Sequence, residues 1–219
     1  MSTEKLIDRK HYVLVHGSCH GAWCWYKVKP LLESAGHLVT VLDLAASGTN
    51  LKKIEDVNTI SEYTEPLLQL MATIPPNEKV AVGVFLTSFT PDIEHSASYV
   101  LEKYIESAAE WLDTEFSESG NKTSMLFGPK FLSDKLYQQT STEDLELAKT
   151  LLRHGSLFME DLTQQKNLYS KQGYGSVPHA FIVCNDDLGI PLKFQHWMIQ
   201  NARINDVFEI KGADHMAIM

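Results

Sequence analysis

The sequence has few cysteines, no long apolar run and no excess of positive charge. Cys19, Cys24 and Cys184 are an odd number and form no Cys-x-x-Cys pair, so we expect reduced thiols and no disulfide framework. The nine histidines include no His-x-His pair, and His16 and His20, which have His-x-x-x-His spacing, lie in a glycine turn, so no metal site is predicted. No run of about 18 apolar residues exists, which excludes a membrane-spanning helix. The amino-terminal segment MSTEKLIDRK lacks an apolar signal core, and we therefore expect a cytoplasmic protein.

The charge balance is acidic. Lysine and arginine number 19 against 28 aspartates and glutamates, so the formal net charge is −9. Nucleic acids and anionic membranes are bound through basic faces, so neither is an expected partner. With 219 residues and 44% hydrophobic composition, the chain is long enough for a single domain with its own core. No feature of the sequence indicates an oligomeric state.

Apolar runs alternate with helical patterns along most of the chain. A run such as Tyr12–Val15, bounded by a glycine turn, is typical of a buried parallel strand, and repeated strand–helix–strand units predict an α/β fold. Gly36 lies where a helix-terminating glycine is expected, and Pro66 is compatible with a helix only near its first turn. The predicted strands are 12–15, 38–42, 79–86, 180–184 and 206–210, and the predicted helices are 23–35, 61–73 and 191–200.

The segment 95–170 interrupts this alternation. It contains no buried-strand run and carries several helical patterns, one of them preceded by a capping box at Ser141–Asp144. We therefore expect a single domain over residues 1–219, in which 95–170 is a helical insertion that covers the sheet.

Three short segments follow the carboxyl ends of predicted strands, where open α/β sheets bind ligands. The first, His16–Gly21, is a glycine-rich turn whose backbone N–H groups suit an oxyanion. The others are Asn185–Asp187 and Gly212–His215. An acid followed by a histidine late in the chain matches the Asp…His part of an α/β-hydrolase triad.

These segments carry a specific resemblance over nearly the whole chain. The strings HYVLVHGSCHGAWCWYKVKPLLESAGH, VLDLAASG, VFLTSFTPD, IVCNDDLGIP and EIKGADHMAIM resemble the plant methyl esterase family. This family includes methyl salicylate and methyl jasmonate esterases, polyneuridine aldehyde esterases and related hydroxynitrile lyases. The resemblance implies an α/β-hydrolase fold with a mostly parallel sheet and a helical lid. It also implies hydrolysis of small methyl esters without a cofactor, so the expected partner is a small ester or carboxylic acid.

The resemblance assigns a role to several residues. His215 matches the general base, Asp187 the acid that orients it, and Ser18 the position whose backbone N–H forms half of the oxyanion hole. Gly17 and Met216 follow the esterase pattern, because the similar lyases have threonine and lysine there. Substrate-lining positions of the family match Phe89, Tyr104, Trp111, Phe116, Met125 and Leu157.

Some of these assignments have alternatives. Asp186 competes with Asp187 for the role of the acid. His16 either contacts the substrate directly or, like His20, only packs within the glycine turn. Trp111 and Phe116 line the pocket or belong to the core of the lid.

The sequence departs from the family at the nucleophile. The family's Gly-x-Ser-x-Gly elbow is absent, because Glu78–Val80 continues directly into the residues that match the next strand of the family. The resemblance therefore implies that one central strand–helix unit is deleted, together with the C-terminal helix. Ser88 is the nearest substitute serine, but no helix is predicted after it. Cys19 is expected to pack, since no motif places a histidine as its base.

Three hypotheses follow from this departure. The chain is a methyl esterase with little activity, or a protein that binds a small aromatic or oxylipin acid without hydrolysis, or a product that does not fold stably. If the chain does not fold stably, we expect the strand at 79–86 to move into the position of the deleted strand.

Overall fold

A computed structural model describes residues 9–75, 82–107, 110–119, 122–165 and 168–219. The strands are β1 His11–Val15, β2 Leu38–Leu42, β3 Gly83–Leu86, β4 Glu115–Ser119, β5 Lys122–Leu126, β6 Gly155–Ser156, β7 His179–Cys184 and β8 Asp206–Ile210. The helices are α1 Val28–Ser34, α2 Ile60–Thr73, α3 Tyr99–Glu106, α4 Pro129–Phe131, α5 Thr142–Leu151, α6 Met159–Gln164 and α7 Leu192–Asn201. None of the helices in the described ranges is long and apolar enough to cross a bilayer.

The parallel strands form two separate groups. β1 pairs with β2 from His11 opposite Leu38 onward, and β7 lies between β3 and β8. The predicted strands at 38–42 and 206–210 are confirmed, and those at 12–15 and 180–184 each begin one residue earlier than expected. Of the predicted strand 79–86, residues 79–81 lie outside the described residues. β3 pairs with β7 and not with β1, so the expected move into the vacated position is not observed.

Among the parallel strands, burial is concentrated in β7. Phe181 and Val183 of β7 are fully buried and pack against Met198 and Ile199 of α7. The prediction that residues 12–15 form a buried strand is wrong, because every residue of β1 remains partly or largely exposed. A parallel strand is buried only when neighbours and helices cover it, and among the described residues β1 pairs with β2 alone.

The predicted helix 23–35 is divided in two. A short 3₁₀ turn spans Ala22–Trp25, and α1 begins at Val28. Pro30 has no N–H to donate and is tolerated in a first turn, which is its position in α1. Gly36 follows α1 with φ of +91°, the left-handed conformation expected of a helix-terminating glycine.

The predicted helix 61–73 is confirmed as α2, with one difference. Thr59 caps it by accepting a hydrogen bond from the Glu62 N–H at 3.1 Å. Because the helix starts at Ile60, Pro66 lies in its interior and not near its first turn as expected. The helix therefore continues through a residue that cannot donate to the preceding turn.

The segment 95–170 contains strands as well as the expected helices. α3 to α6 lie in it, and Ser141 caps α5 through the Asp144 N–H as the capping box predicts. However, β4, β5 and β6 form an antiparallel sheet, so the purely helical prediction is wrong. β4 was missed because its residues, EFSES, are mostly polar and include no apolar run.

Candidate active site

Asp187 and His215 meet beyond the carboxyl ends of β7 and β8. Gly212 adopts a φ of +69° immediately after β8, a left-handed turn that brings the chain back over the sheet edge. His215 Nδ1 lies 2.8 Å from Asp187 Oδ2, and Asp187 is 2% exposed. The structure therefore brings together the two residues that the sequence predicted as base and acid.

Asp187 is held by donors on both carboxylate oxygens. Oδ1 accepts hydrogen bonds from the backbone N–H groups of Gly189 at 2.7 Å and Ile190 at 2.8 Å. Oδ2 accepts from the hydroxyl of Thr87 in addition to His215. Hydrogen bonds that a buried carboxylate accepts fix its orientation, so the side of His215 that faces Asp187 is fixed as well.

The competing acid is turned away from the histidine. The carboxylate of Asp186 accepts a hydrogen bond from Gln139 Nε2 at 2.6 Å, and its carbonyl oxygen accepts one from Gln138 Nε2. Geometry thus separates two adjacent aspartates that the sequence left as alternatives.

The pKa of His215 is raised. Burial alone would lower the pKa, but the carboxylate of Asp187, through its charge and its hydrogen bond, and the charge of Asp214 outweigh that effect. An imidazole with a raised pKa is a suitable proton acceptor when a hydroxyl donor is within reach.

Two residues that hold Asp187 and its loop in place were not predicted from the sequence. The Thr87 hydroxyl reaches Asp187 from the end of β3. The fully buried Gln195 of α7 donates to the Cys184 and Ile190 carbonyls at 2.9 and 2.7 Å and accepts from the Cys184 N–H at 3.1 Å. This amide fixes both ends of the loop that carries Asp187. The only signal for Thr87 was its place in VFLTSFTPD, directly after a strand, and Gln195 had none.

The loop after β1 contains His16 and Ser18. His16 Nδ1 donates to the Gly17 carbonyl at 2.7 Å, and its Nε2 accepts from the Leu44 N–H at 3.1 Å. Both ring nitrogens are therefore occupied by the backbone, which favours the packing interpretation over direct substrate contact. The buried hydroxyl of Ser18 has no hydrogen-bond partner among the described residues.

His20 and Cys19 are buried next to this loop. His20 Nδ1 donates to the Ser18 carbonyl at 2.9 Å, and Nε2 accepts from the Tyr137 hydroxyl at 2.7 Å. Burial lowers the pKa of His20 to about 4, with further contributions from the nearby His215 and His16. Burial raises the pKa of the Cys19 thiol to about 11, so this thiol is protonated at neutral pH, as expected of a packing residue.

The four aromatic side chains predicted to line the pocket form a continuous series of ring contacts. Phe89 packs edge-on against Tyr104 with ring centroids 4.9 Å apart, and Trp111 packs edge-on against both Tyr104 and Phe116. Phe116 is 46% exposed. Met125 is buried, and Leu157 and Phe89 both pack against the cluster of buried residues that includes Tyr63 of α2. The structure thus assembles an aromatic row, with Trp111 also stacked on Phe131 of α4.

Among the residues that the structure describes, no serine, threonine or cysteine side chain forms a hydrogen bond to His215. Thr87 donates its proton to Asp187, on the Nδ1 side of the imidazole, and it is not placed to donate to Nε2. The carbonyl of Ser88 accepts a bond from Thr90, but its side chain bonds to none of the site residues. The described ranges likewise contain no group of three acidic, histidine or cysteine residues that could hold a metal ion.

The sequence profile of the alpha/beta hydrolase family matches residues 12–219. The chain belongs to this family. It is 50% identical to salicylic acid-binding protein 2 of Nicotiana tabacum over 97% of this chain and 92% of that protein. It is 47% identical to methylesterase 1 of Arabidopsis thaliana over 99% of this chain and 92% of that protein. These relationships support a carboxylesterase-like function.

A solved structure of the family superposes closely. The crystal structure of polyneuridine aldehyde esterase is 45% identical, has a TM-score of 0.92, and matches over 96% of this chain and 93% of that chain. The alignment with the tobacco protein extends over 241 residues, more than the 219 residues of this chain. This alpha/beta hydrolase therefore lacks residues that its relative has within the aligned span.

Proposed function

We propose that this chain is a methyl ester carboxylesterase scaffold whose hydrolytic activity is close to background. The observation that carries the proposal is the intact Asp187–His215 pair with no hydroxyl or thiol bonded to His215 in the described part of the chain. The absence of a Gly-x-Ser-x-Gly motif from the whole sequence supports it. The relatives named as methylesterases support small methyl esters as the substrate class.

The expected loss of activity is large. Removal of the nucleophile from a Ser-His-Asp enzyme of the subtilisin type reduces kcat by about 10⁶. An elbow also supplies one of the two oxyanion N–H donors, whose loss costs about 10²–10³ when it acts alone. The two losses are not additive, since a donor has little to stabilise when no tetrahedral intermediate forms.

The test compares two proteins. Hydrolysis of 4-nitrophenyl acetate and methyl salicylate is measured for this chain and for a version into which the strand–elbow–helix segment of the tobacco relative is inserted. We expect turnover only in the restored protein, where His215→Ala should abolish it. Turnover by this chain within tenfold of the restored protein would contradict the proposal.

A second candidate function is binding without hydrolysis. It is favoured by the aromatic row of Phe89, Tyr104 and Trp111 and by the name of the tobacco relative, salicylic acid-binding protein 2. We expect salicylate to change the fluorescence of Trp111 in a saturable way and Trp111→Phe to remove that change. Calorimetry that detects no heat with millimolar salicylate or jasmonate would exclude this candidate.

A further inference from the structure

Asp214 precedes His215 in the loop after β8, and it is buried, with 3% of its surface exposed. Its carboxylate accepts hydrogen bonds on both oxygens. Oδ1 accepts from the Met216 N–H at 3.0 Å, within the same loop. Oδ2 accepts from the Gln139 N–H at 2.8 Å and from the Thr140 hydroxyl at 2.9 Å. This one carboxylate therefore joins the loop that carries His215 to a segment that is distant in the sequence.

That segment, residues 132–140, begins with a short π-helix. Such helices are rare and often occur at functional sites. The segment comes close to the acid–base pair at Gly189, where a methyl group would lie 2.6 Å from Leu136 Cδ2 and 3.5 Å from His215 Nδ1. Glycine leaves room for this approach, so the segment packs close to the imidazole.

Met216 links the same segment to the other side of His215. Its side chain is buried in one cluster with Leu136 and Tyr137. His215 therefore lies between two residues, Asp214 and Met216, and each of them is held by the 132–140 segment. Because the backbone of His215 is fixed on both sides, a displacement of the segment would also displace the imidazole.

The contact of the segment with Asp186 is of a different kind. Gln139 Nε2 donates to the Asp186 carboxylate at 2.6 Å, but both residues are exposed. Water replaces the partner of an exposed hydrogen bond when that bond is lost, whereas loss of a donor leaves a buried carboxylate unsatisfied at a much larger cost. The connection through Asp214 is therefore the stronger of the two.

We propose that Asp214 is a positioning residue, which fixes the loop that carries His215 to the 132–140 segment and thereby keeps the imidazole at hydrogen-bond distance from Asp187. The proposal rests on the proposed function in taking Asp187 and His215 as the acid and base of an esterase site. The alternative is that Asp214 acts on His215 through its charge alone. The two explanations differ in the part played by Thr140, which bonds to the Asp214 carboxylate and carries no charge.

The test measures two properties of His215 by NMR, the chemical shift of the Nδ1 proton and the pKa of the ring, both of which depend on its contact with Asp187. Thr140→Val removes one donor to Asp214, keeps a β-branched side chain and leaves the negative charge in place. We expect the Nδ1 proton resonance to move upfield and the pKa of His215 to fall, because the imidazole moves away from the Asp187 carboxylate. Thr140→Ala removes the same donor and should give the same two changes.

Thr140→Ser and Gln139→Ala are the matched controls. Thr140→Ser retains the hydroxyl, so the chemical shift and the pKa of His215 should remain those of the unsubstituted chain. Gln139→Ala removes the exposed bond to Asp186, but its backbone N–H still donates to Asp214, so both values should again be unchanged. Unchanged values in both Thr140→Val and Thr140→Ala would overturn the proposal.

These results are separable from those on hydrolysis, because the NMR measurements use this chain without any insertion and require no turnover. Absence of turnover in the restored protein would contradict the proposed function only. In an active restored protein, Thr140→Val should lower kcat about tenfold or more at unchanged KM, since a displaced base impairs proton transfer and not substrate binding. An effect in Asp214→Asn that neither Thr140 variant reproduces would show a role of charge alone and overturn the proposal, as would a shift in Gln139→Ala as large as that in Thr140→Val.

Discussion

β7 and β1 are both short apolar parallel strands, yet they differ in strand pairing and in burial. β7 is paired on both sides and contains the fully buried Phe181, whereas β1 is paired on one side and has no fully buried residue. In the described part of the chain, the side-chain hydrogen bonds of Asp187 and His215 are made with the loops that follow β3, β7 and β8. The acid–base half of the site thus keeps its geometry without the half that would carry a nucleophile.

The comparison predicts very different costs for truncation in the two regions. Phe181→Ala removes a fully buried ring and should lower the free energy of unfolding by about 3–5 kcal/mol. Val15→Ala in β1, at a residue 37% exposed, should change it by about 0.5 kcal/mol or less. Urea denaturation followed by near-ultraviolet circular dichroism measures both. A non-cooperative transition in the unsubstituted protein would instead support the hypothesis that the chain does not fold stably.

His20 provides a pH-dependent test of the loop after β1. Its pKa is lowered to about 4 by burial, so the unfolded chain binds the proton more tightly. The contribution of His20 to the free energy of unfolding is fully present above the unfolded pKa of about 6.5. It is lost as the pH falls toward 4, by up to about 3 kcal/mol. We expect His20→Gln to reduce the difference between the unfolding free energies at pH 7 and pH 5. An unchanged difference would show that His20 titrates normally and that this loop is open to solvent.

Asp187→Asn tests the other half of the site, with Asp186→Asn as the matched control. Loss of the carboxylate 2.8 Å from Nδ1 should lower the pKa of His215, measured by proton NMR of its ring. In the unsubstituted chain, the raised pKa stabilises the fold below about pH 6.5, and this contribution disappears as the pH rises through the folded pKa. Asp187→Asn should remove that decline. An equal shift in Asp186→Asn would contradict the assignment of the acid.

The sequence predicted elements whose cause is local. The apolar runs of β2, β7 and β8, the Ser141 cap and the Gly36 terminus are each determined by neighbouring residues, and all are observed. The hairpin of β4 and β5 was missed because its residues are mostly polar, so only the partner strand defines it. The exposure of β1 was missed for the same reason, since burial depends on neighbours that are distant in the sequence.

The residues of the site can likewise be divided into those that the sequence predicted and those that depend on the folded structure. The order of an acid and a histidine after successive strands was sufficient to bring Asp187 and His215 together, since the carboxyl ends of parallel strands share one edge. The choice between Asp186 and Asp187, and the supporting roles of Thr87 and Gln195, depend on side-chain directions that no spacing encodes.

Thr87 and Ser88 are adjacent, but they differ in their side-chain hydrogen bonds to the site. Its hydroxyl donates to the carboxylate that also accepts from His215, whereas the neighbouring Ser88 makes no side-chain bond to the site residues. Thr87→Val keeps the β-branched shape and removes one donor, so we expect a loss of about 1 kcal/mol in stability. With one donor fewer, the carboxylate attracts the imidazole proton more strongly, so the pKa of His215 should rise slightly. Thr87→Ser should restore both values, and Ser88→Ala should leave both unchanged. A shift of His215 in Ser88→Ala as large as that in Thr87→Val would mean that Ser88 reaches the imidazole, and its candidacy as a substitute nucleophile would then have to be reopened.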